Sequence, residues 1–220
     1  MAVYDLEEQE QLEELKTWWV QHGNLVTAVV VAAALAMLAW QGWNWWQRKQ
    51  AAQAGAAYAL LEQVAAVHDP QRTNEVTGEL IDKYSGTAYA GLAALLSAKV
   101  QADGGDFKTA KLQLAWAAKH AKDPELRDLA RLRLATVLED EKDYGDALQQ
   151  LAAEPAAPFA PRYAEVRGDI LAAQGQTAAA KAAYANALSK LDAEKGAADQ
   201  STSQYRQVLQ IKLDALGGQS

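Results

Sequence analysis

From Leu25 to Trp46 the chain reads LVTAVVVAAALAMLAWQGWNWW, and no other stretch narrows the possible folds as far. Leu25 to Trp40 carries no charge and a single hydroxyl, Thr27. As a helix the segment would extend ~33 Å, enough to cross a hydrocarbon core of about 30 Å. Six of the seven tryptophans flank or close it: Trp18 and Trp19 before, and Trp40, Trp43, Trp45 and Trp46 at its end. Amphipathic indoles gather at headgroup depth, so this placement reads as two interfacial belts. A buried core helix of this kind would need a larger protein around it. A cleavable signal peptide could use the small-residue site Ala52-Gln53-Ala54, but the leading region is acidic and that site lies well past the apolar run. The expectation is a retained signal-anchor over residues 25–46, joining a tail at 1–24 to a domain at 47–220.

Charge is unevenly divided between these parts. Asp5, Glu7, Glu8, Glu10, Glu13 and Glu14 stand against Lys16, leaving the tail at −5 of the chain's −7. The domain is nearly neutral and has no basic stripe, which argues against nucleic acid as a partner. Cysteine is absent, so disulfides, thiolate metal sites and cysteine nucleophiles are excluded. Residues 4–22 have Leu12, Leu15, Trp18 or Trp19 and His22 at helical intervals, with acids in the first turns where the helix dipole favours them.

Beyond the anchor the pattern is helical throughout, and no stretch alternates strongly enough to be a strand. Ala-rich sequence runs to Val67 before Asp69-Pro70 stops it. Helices are expected at about Thr73–Tyr84, Ala88–Gln101, Phe107–Ala121, from Pro124 through Leu138, from Tyr144 to Ala153, at Arg162–Gln174 and at Thr177–Asp192. The Pro155–Pro161 run reads as an irregular connector, and Glu194–Ser203 as a polar loop. Tyr205, Val208, Leu209, Leu213 and Leu216 mark a last helix.

Three helix pairs share a turn: GGDFKTA, EKDYGDA and AQGQTAA. Aligning Ala110, Ala147 and Ala180 places another small residue twelve positions earlier each time, at Ala98, Ala135 and Gly168. Units of this length resemble the tetratricopeptide (TPR) repeat. That resemblance implies small residues where paired helices touch and a turn aromatic (Phe107, Tyr144) filling the joint. It also implies a concave groove of the kind that binds peptides or proteins. The expected fold is all-α: one transmembrane helix, then a TPR-like solenoid of about three repeats with capping helices.

No residue is assigned a catalytic, cofactor-binding or metal role. His22, His68 and His120 are far apart, and HExxH, P-loop and GxSxG patterns are missing. Asp103-Gly-Gly-Asp106 falls short of a calcium loop and sits where the repeat needs a turn. Trp116 lies off the stripe of its helix, which suits packing between repeats, with a partner contact as the sharper alternative.

Taken in order, several blocks resemble the YfgM-type ancillary subunit family of the SecYEG translocon. They are YDLEEQEQLEELKTWW, the anchor, YSGTAYAGLAALLSAK, DLARLRLATVL, VRGDILAAQGQTAAAKAAY and LQIKLDAL. The resemblance implies a non-enzymatic, single-pass protein of the bacterial inner membrane, with a cytoplasmic N-terminus, a periplasmic TPR-like domain and no cofactor. Implied partners are SecYEG, a PpiD-like periplasmic chaperone, unfolded clients and membrane lipid, and the implied role is support of protein export and hand-over to chaperones. The flanking charges alone, Arg48 and Lys49 against Lys16, favour the opposite orientation by one charge. A rival from another class is a tethered regulator whose acidic tail sequesters a cytoplasmic factor.

Overall fold

The computed structural model describes residues 4–193 and 200–217, with side chains at Glu13 and from Lys16 onward. The expected stripe residues Leu12 and Leu15 and the start of the polar loop at 194–199 therefore lie outside the described side chains or residues. Contacts divide the chain into residues 1–50 and 51–220, taken here in turn.

Helix α1, Tyr4–Ala66, holds the apolar segment. Nothing within its unit covers that segment: Leu25, Val30, Leu35, Met37 and Leu38 are each more than 60% exposed. A run so apolar and so bare is not the core helix of its unit. It is long and apolar enough to cross a membrane. The two indole clusters pack locally, with Trp18 stacked on His22 and Trp43 tilted against Trp46.

The second unit is built from helical hairpins. Helix α2 (Pro70–Tyr84) shares a buried cluster with the end of α1 and packs on α3 (Ala88–Asp103), α3 pairs with α4 (Phe107–His120), α5 (Pro124–Asp140) with α6 (Tyr144–Gln150), and α7 (Ala160–Ala173) with α8 (Thr177–Ala193). Helix α9 (Gln200–Gly217) packs on α8. No strand occurs among the described residues.

One turn geometry recurs. Gly105, Lys142 and Gly175 take left-handed φ values of 83°, 64° and 74°, each five residues before an aligned alanine. The amide three places past each helix end then bonds back to the last full turn: Asp106 N to Gln101 O at 2.8 Å, Asp143 N to Leu138 O at 2.8 Å, and Gln176 N to Leu171 O at 2.9 Å. This closing pattern satisfies carbonyls that a helix end leaves without partners. His68, φ 54°, occupies the same position five residues before Thr73. Asp69-Pro70 both ends α1 and starts α2, with the Asp69 carboxylate accepting from Arg72 N at 3.0 Å.

Lysine has no ease in left-handed backbone, whereas glycine adopts it freely. Lys142→Gly is expected to raise stability by ~1 kcal/mol, read as a higher thermal midpoint by circular dichroism. Glycine at the equivalent positions 105 and 175 shows the turn accepts it.

The core between hairpins is rich in alanine. Ala94, Ala98, Ala110, Ala117, Ala130, Ala135 and Ala147 are all buried, joined by Leu95, Leu114, Leu134, Leu151, Tyr163 and Ile170. Small side chains let helix axes approach closely, and the larger ones fill what remains. Ala54, Leu61, Leu80 and Ala93 form a cluster at the first hairpin, and Ala180, Tyr184, Ala187, Leu191 and Leu209 one at the last. Ala54, part of the signal-peptidase-like triplet, is wholly buried in the first of these.

Several local expectations change. Phe107 stays 43% exposed and does not fill its joint, whereas Tyr144 packs against the core. The Pro-rich connector is not wholly irregular: Ala157–Phe159 forms a 3-10 turn, and α7 begins at Ala160 with Pro161 in its first turn, where a missing amide costs nothing. Buried Asp128 fixes this connector by accepting from Ala156 N at 2.9 Å while pairing with Arg131 at 3.0 Å. Tyr163 donates to the Asp128 carbonyl at 2.9 Å, and burial, then the Asp128 charge, pushes its phenol up to about 12. Helix α6 ends at Gln150 instead of Ala153, and Arg167 donates to the freed Leu151 carbonyl at 2.6 Å. Gln200–Ser203 is helical and belongs to α9.

Candidate interaction surface

The residues weighed from sequence alone fall on separate elements. His22 lies in α1, His68 in the first turn and His120 at the end of α4, where its ring stands 5.4 Å from Trp116. Asp106 accepts from Thr109 N at 3.0 Å as a helix cap, and Asp103 pairs with Lys99 at 2.5 Å. Among the described residues, no group of three histidines or carboxylates is placed to hold a metal. Trp116 is partly buried against the main core, so packing accounts for it. Its neighbour one turn back, Leu112, is 64% exposed and carries the partner-facing possibility instead.

A groove of about 450 Å³ opens between the α6–α7 connector, α7 and α8. It is lined by Ala160, Ala164, Ala179 and Ala183 together with Tyr163, Leu171, Arg167, Asn186 and Lys190. Small apolar side chains mixed with hydrogen-bonding groups suit a peptide segment.

Beside it lies a charge cluster that pattern reading missed. Lys212 on α9 reaches Glu165 Oε1 at 2.8 Å and both Asp169 oxygens at 2.8 Å, bridging α9 to α7. Arg162 holds the other Glu165 oxygen at 2.9 Å, and its guanidinium lies 3.9 Å from the Tyr205 ring centroid. From α8, Tyr184 donates to Asp169 at 2.7 Å. Burial alone would raise Glu165 and lower Lys212. The hydrogen bonds and charges between them reverse both, leaving the carboxyl below its ordinary range and the ammonium above. Tyr184 and Tyr205 are pushed up, by burial first and the neighbouring carboxylates next. A sequence signal existed: Lys212 interrupts the apolar stripe Leu209–Leu213–Leu216, and Glu165 and Asp169 are one turn apart.

Glu139 on α5 adjoins this cluster without a cation of its own. Burial, then the charges of Asp169 and Asp140, raises it to about 7, against a smaller lowering by Lys212. An acid raised on folding binds more protons in the folded state between its ordinary value and its folded one. Stability should therefore fall as pH climbs from about 4.5 to about 7, by roughly 1–2 kcal/mol once solvent screening is allowed for. Glu165, shifted the opposite way, acts only in more acidic solution. Thermal midpoints at pH 5 and pH 8 should differ by a few degrees, and Glu139→Gln should remove the difference.

Over residues 16–218 the chain matches the family model described as a tetratricopeptide repeat-like domain. It is 33% identical over 212 residues to a Neisseria gonorrhoeae protein named ancillary SecYEG translocon subunit, covering 96% of this chain and 98% of that one. A Haemophilus influenzae protein of the same name is 30% identical over 184 residues, 84% of this chain and 90% of the relative. One from Aggregatibacter actinomycetemcomitans is 29% identical over 215 residues, 97% and 99% of the two chains. No solved structure matches. A helix long and apolar enough to cross a membrane, recurring left-handed turns and near full-length similarity agree: this chain belongs to the ancillary SecYEG translocon subunit family, with a tetratricopeptide repeat-like domain.

Proposed function

We propose that this chain is a membrane-anchored, non-enzymatic accessory of the SecYEG translocon, with residues 25–46 crossing the inner membrane. Residues 1–24 face the cytoplasm, and residues 47–220 form the periplasmic domain. The observation that carries the reading is the similarity to named translocon subunits over 96% of the chain, anchor included. Function then rests on placement. Tethering turns partner binding into a local event at high effective concentration, so modest affinities suffice beside the channel. The hairpin surface, with the α7–α8 groove and exposed Leu112, holds a PpiD-like periplasmic chaperone and through it helps emerging clients leave the translocon.

Photoreactive residues at Leu112, Asn186 and Lys190 of the full-length protein, irradiated in native membranes, test this. Crosslinks to a SecYEG subunit or to a membrane-anchored periplasmic chaperone are expected. Their absence at every position, with the protein present at its normal level, would overturn the role.

A further inference from the structure

The C-terminal end of the apolar segment carries more than interfacial tryptophans. Around about half of the circumference of α1, Met37, Leu38, Trp40, Gly42, Trp45 and Arg48, with the polar Gln41 and Asn44 among them, line a groove of about 650 Å³. Gly42 opens it, since no atom lies within 4 Å of where a side chain at that position would begin. Lys49 folds over the Trp45 ring, its ammonium 5.4 Å from the centroid, so a second cation sits at the same end of the groove. Among the described residues neither Arg48 nor Lys49 has a carboxylate partner.

We propose that this groove binds an anionic phospholipid, its phosphate held by Arg48 and Lys49 and an acyl chain lying in the Gly42 notch against Leu38 and Trp45. The inference rests on the membrane-spanning reading of α1. Charge and shape select the occupant. Guanidinium and ammonium groups pair with phosphate oxygens, and two cations without a neighbouring acid favour a headgroup of net negative charge over a zwitterion that brings its own cation. Indole above and aliphatic carbon below match the step from headgroup to hydrocarbon along a single lipid. Such a lipid would also neutralise the two cations that oppose the orientation proposed above.

The test is native mass spectrometry of the full-length chain released from nanodiscs of equal phosphatidylglycerol and phosphatidylcholine. One retained phosphatidylglycerol is expected, favoured about fivefold per cation. Exchanging positions, Gln50→Arg with Arg48→Gln, keeps the net charge but turns a cation roughly 200° around the helix, away from the groove, and should lower the preference about fivefold while Lys49 keeps the rest. Gly42→Leu fills the notch and should lower retention with both cations in place. Equal retention of the two lipids, or full preference in the exchanged variant, would overturn the lipid site while leaving the anchor reading intact. A chain that stays in solution when nanodiscs form would overturn the anchor reading, and the lipid site with it.

Discussion

Lys212→Met should lower the stability of the hairpin domain by about 3 kcal/mol, a large fraction of what holds a domain of this size together. The methionine replaces most of the volume, so the loss is electrostatic. Among the described residues, Glu165, only 5% exposed, would keep Arg162 as its one cation, and Asp169 would keep the Tyr184 hydroxyl. Breaking a buried pair by removing one partner costs more than the pair itself contributes, because the stranded charge stays buried. Partial exposure of Lys212 and Asp169 puts the figure at the low end of the range for such pairs. The defect should shrink in acid. Glu165 is held below its ordinary range in the native protein, so the stability it lends exists above that range and is lost as pH falls through its folded value. Once the pH has fallen below the value Glu165 has in the native protein, native and variant midpoints should converge. A double variant with Asp169→Asn should cost less than the sum of the single changes, since the groups share one network. Chemical unfolding of the full-length protein in detergent, followed by circular dichroism, reads all of these.

Gly168→Ala sets two forces against each other, and packing wins. Helix propensity alone favours alanine by ~1 kcal/mol. A side chain at 168, however, would begin 2.5 Å from Tyr184 Cε1 and 2.7 Å from Cδ1, closer than any ordinary contact. The ring cannot slide away, because it is 3% exposed and its hydroxyl is tied to Asp169. Forcing α7 from α8 is expected to cost ~3 kcal/mol net of the propensity gain, at the upper end for overpacking. Gly78→Ala is the matched contrast. It lies in α2 with nothing within 4 Å, and should stabilise by ~1 kcal/mol. If both substitutions moved the thermal midpoint the same way, close packing at Gly168 would not be what sets the α7–α8 spacing.

How far the sequence announced this fold depended on whether a feature was local. The apolar run and its tryptophans are contiguous, and Gly105, Gly175 and Gly168 sit at fixed offsets from aligned alanines, so the long apolar helix, the turns and the close contact could all be read along the chain. The first hairpin hid because its position carries different chemistry: His68 stands where glycine marks two of the other turns, and Leu61 and Thr73 stand where the other units have small residues. Lys142 hid likewise, adopting a left-handed conformation its side chain does not advertise. Phe107 misled because a turn aromatic that fills its joint in the repeat pattern here faces outward. The polar start of α9 at Gln200 gave no apolar period to detect. The Lys212 cluster was the hardest, since Lys212 stands 47 residues from Glu165 and the members meet only after α7, α8 and α9 have packed.

The most direct test of the account is where each end of the native chain lies. With epitopes at both termini, protease added to intact spheroplasts should destroy the C-terminal epitope and spare the N-terminal one, while the protein stays in the membrane pellet after alkaline washing. A C-terminal epitope protected until the cells are lysed, or a chain released by alkali, would contradict an anchor that holds the helical hairpins on the outer face of the inner membrane.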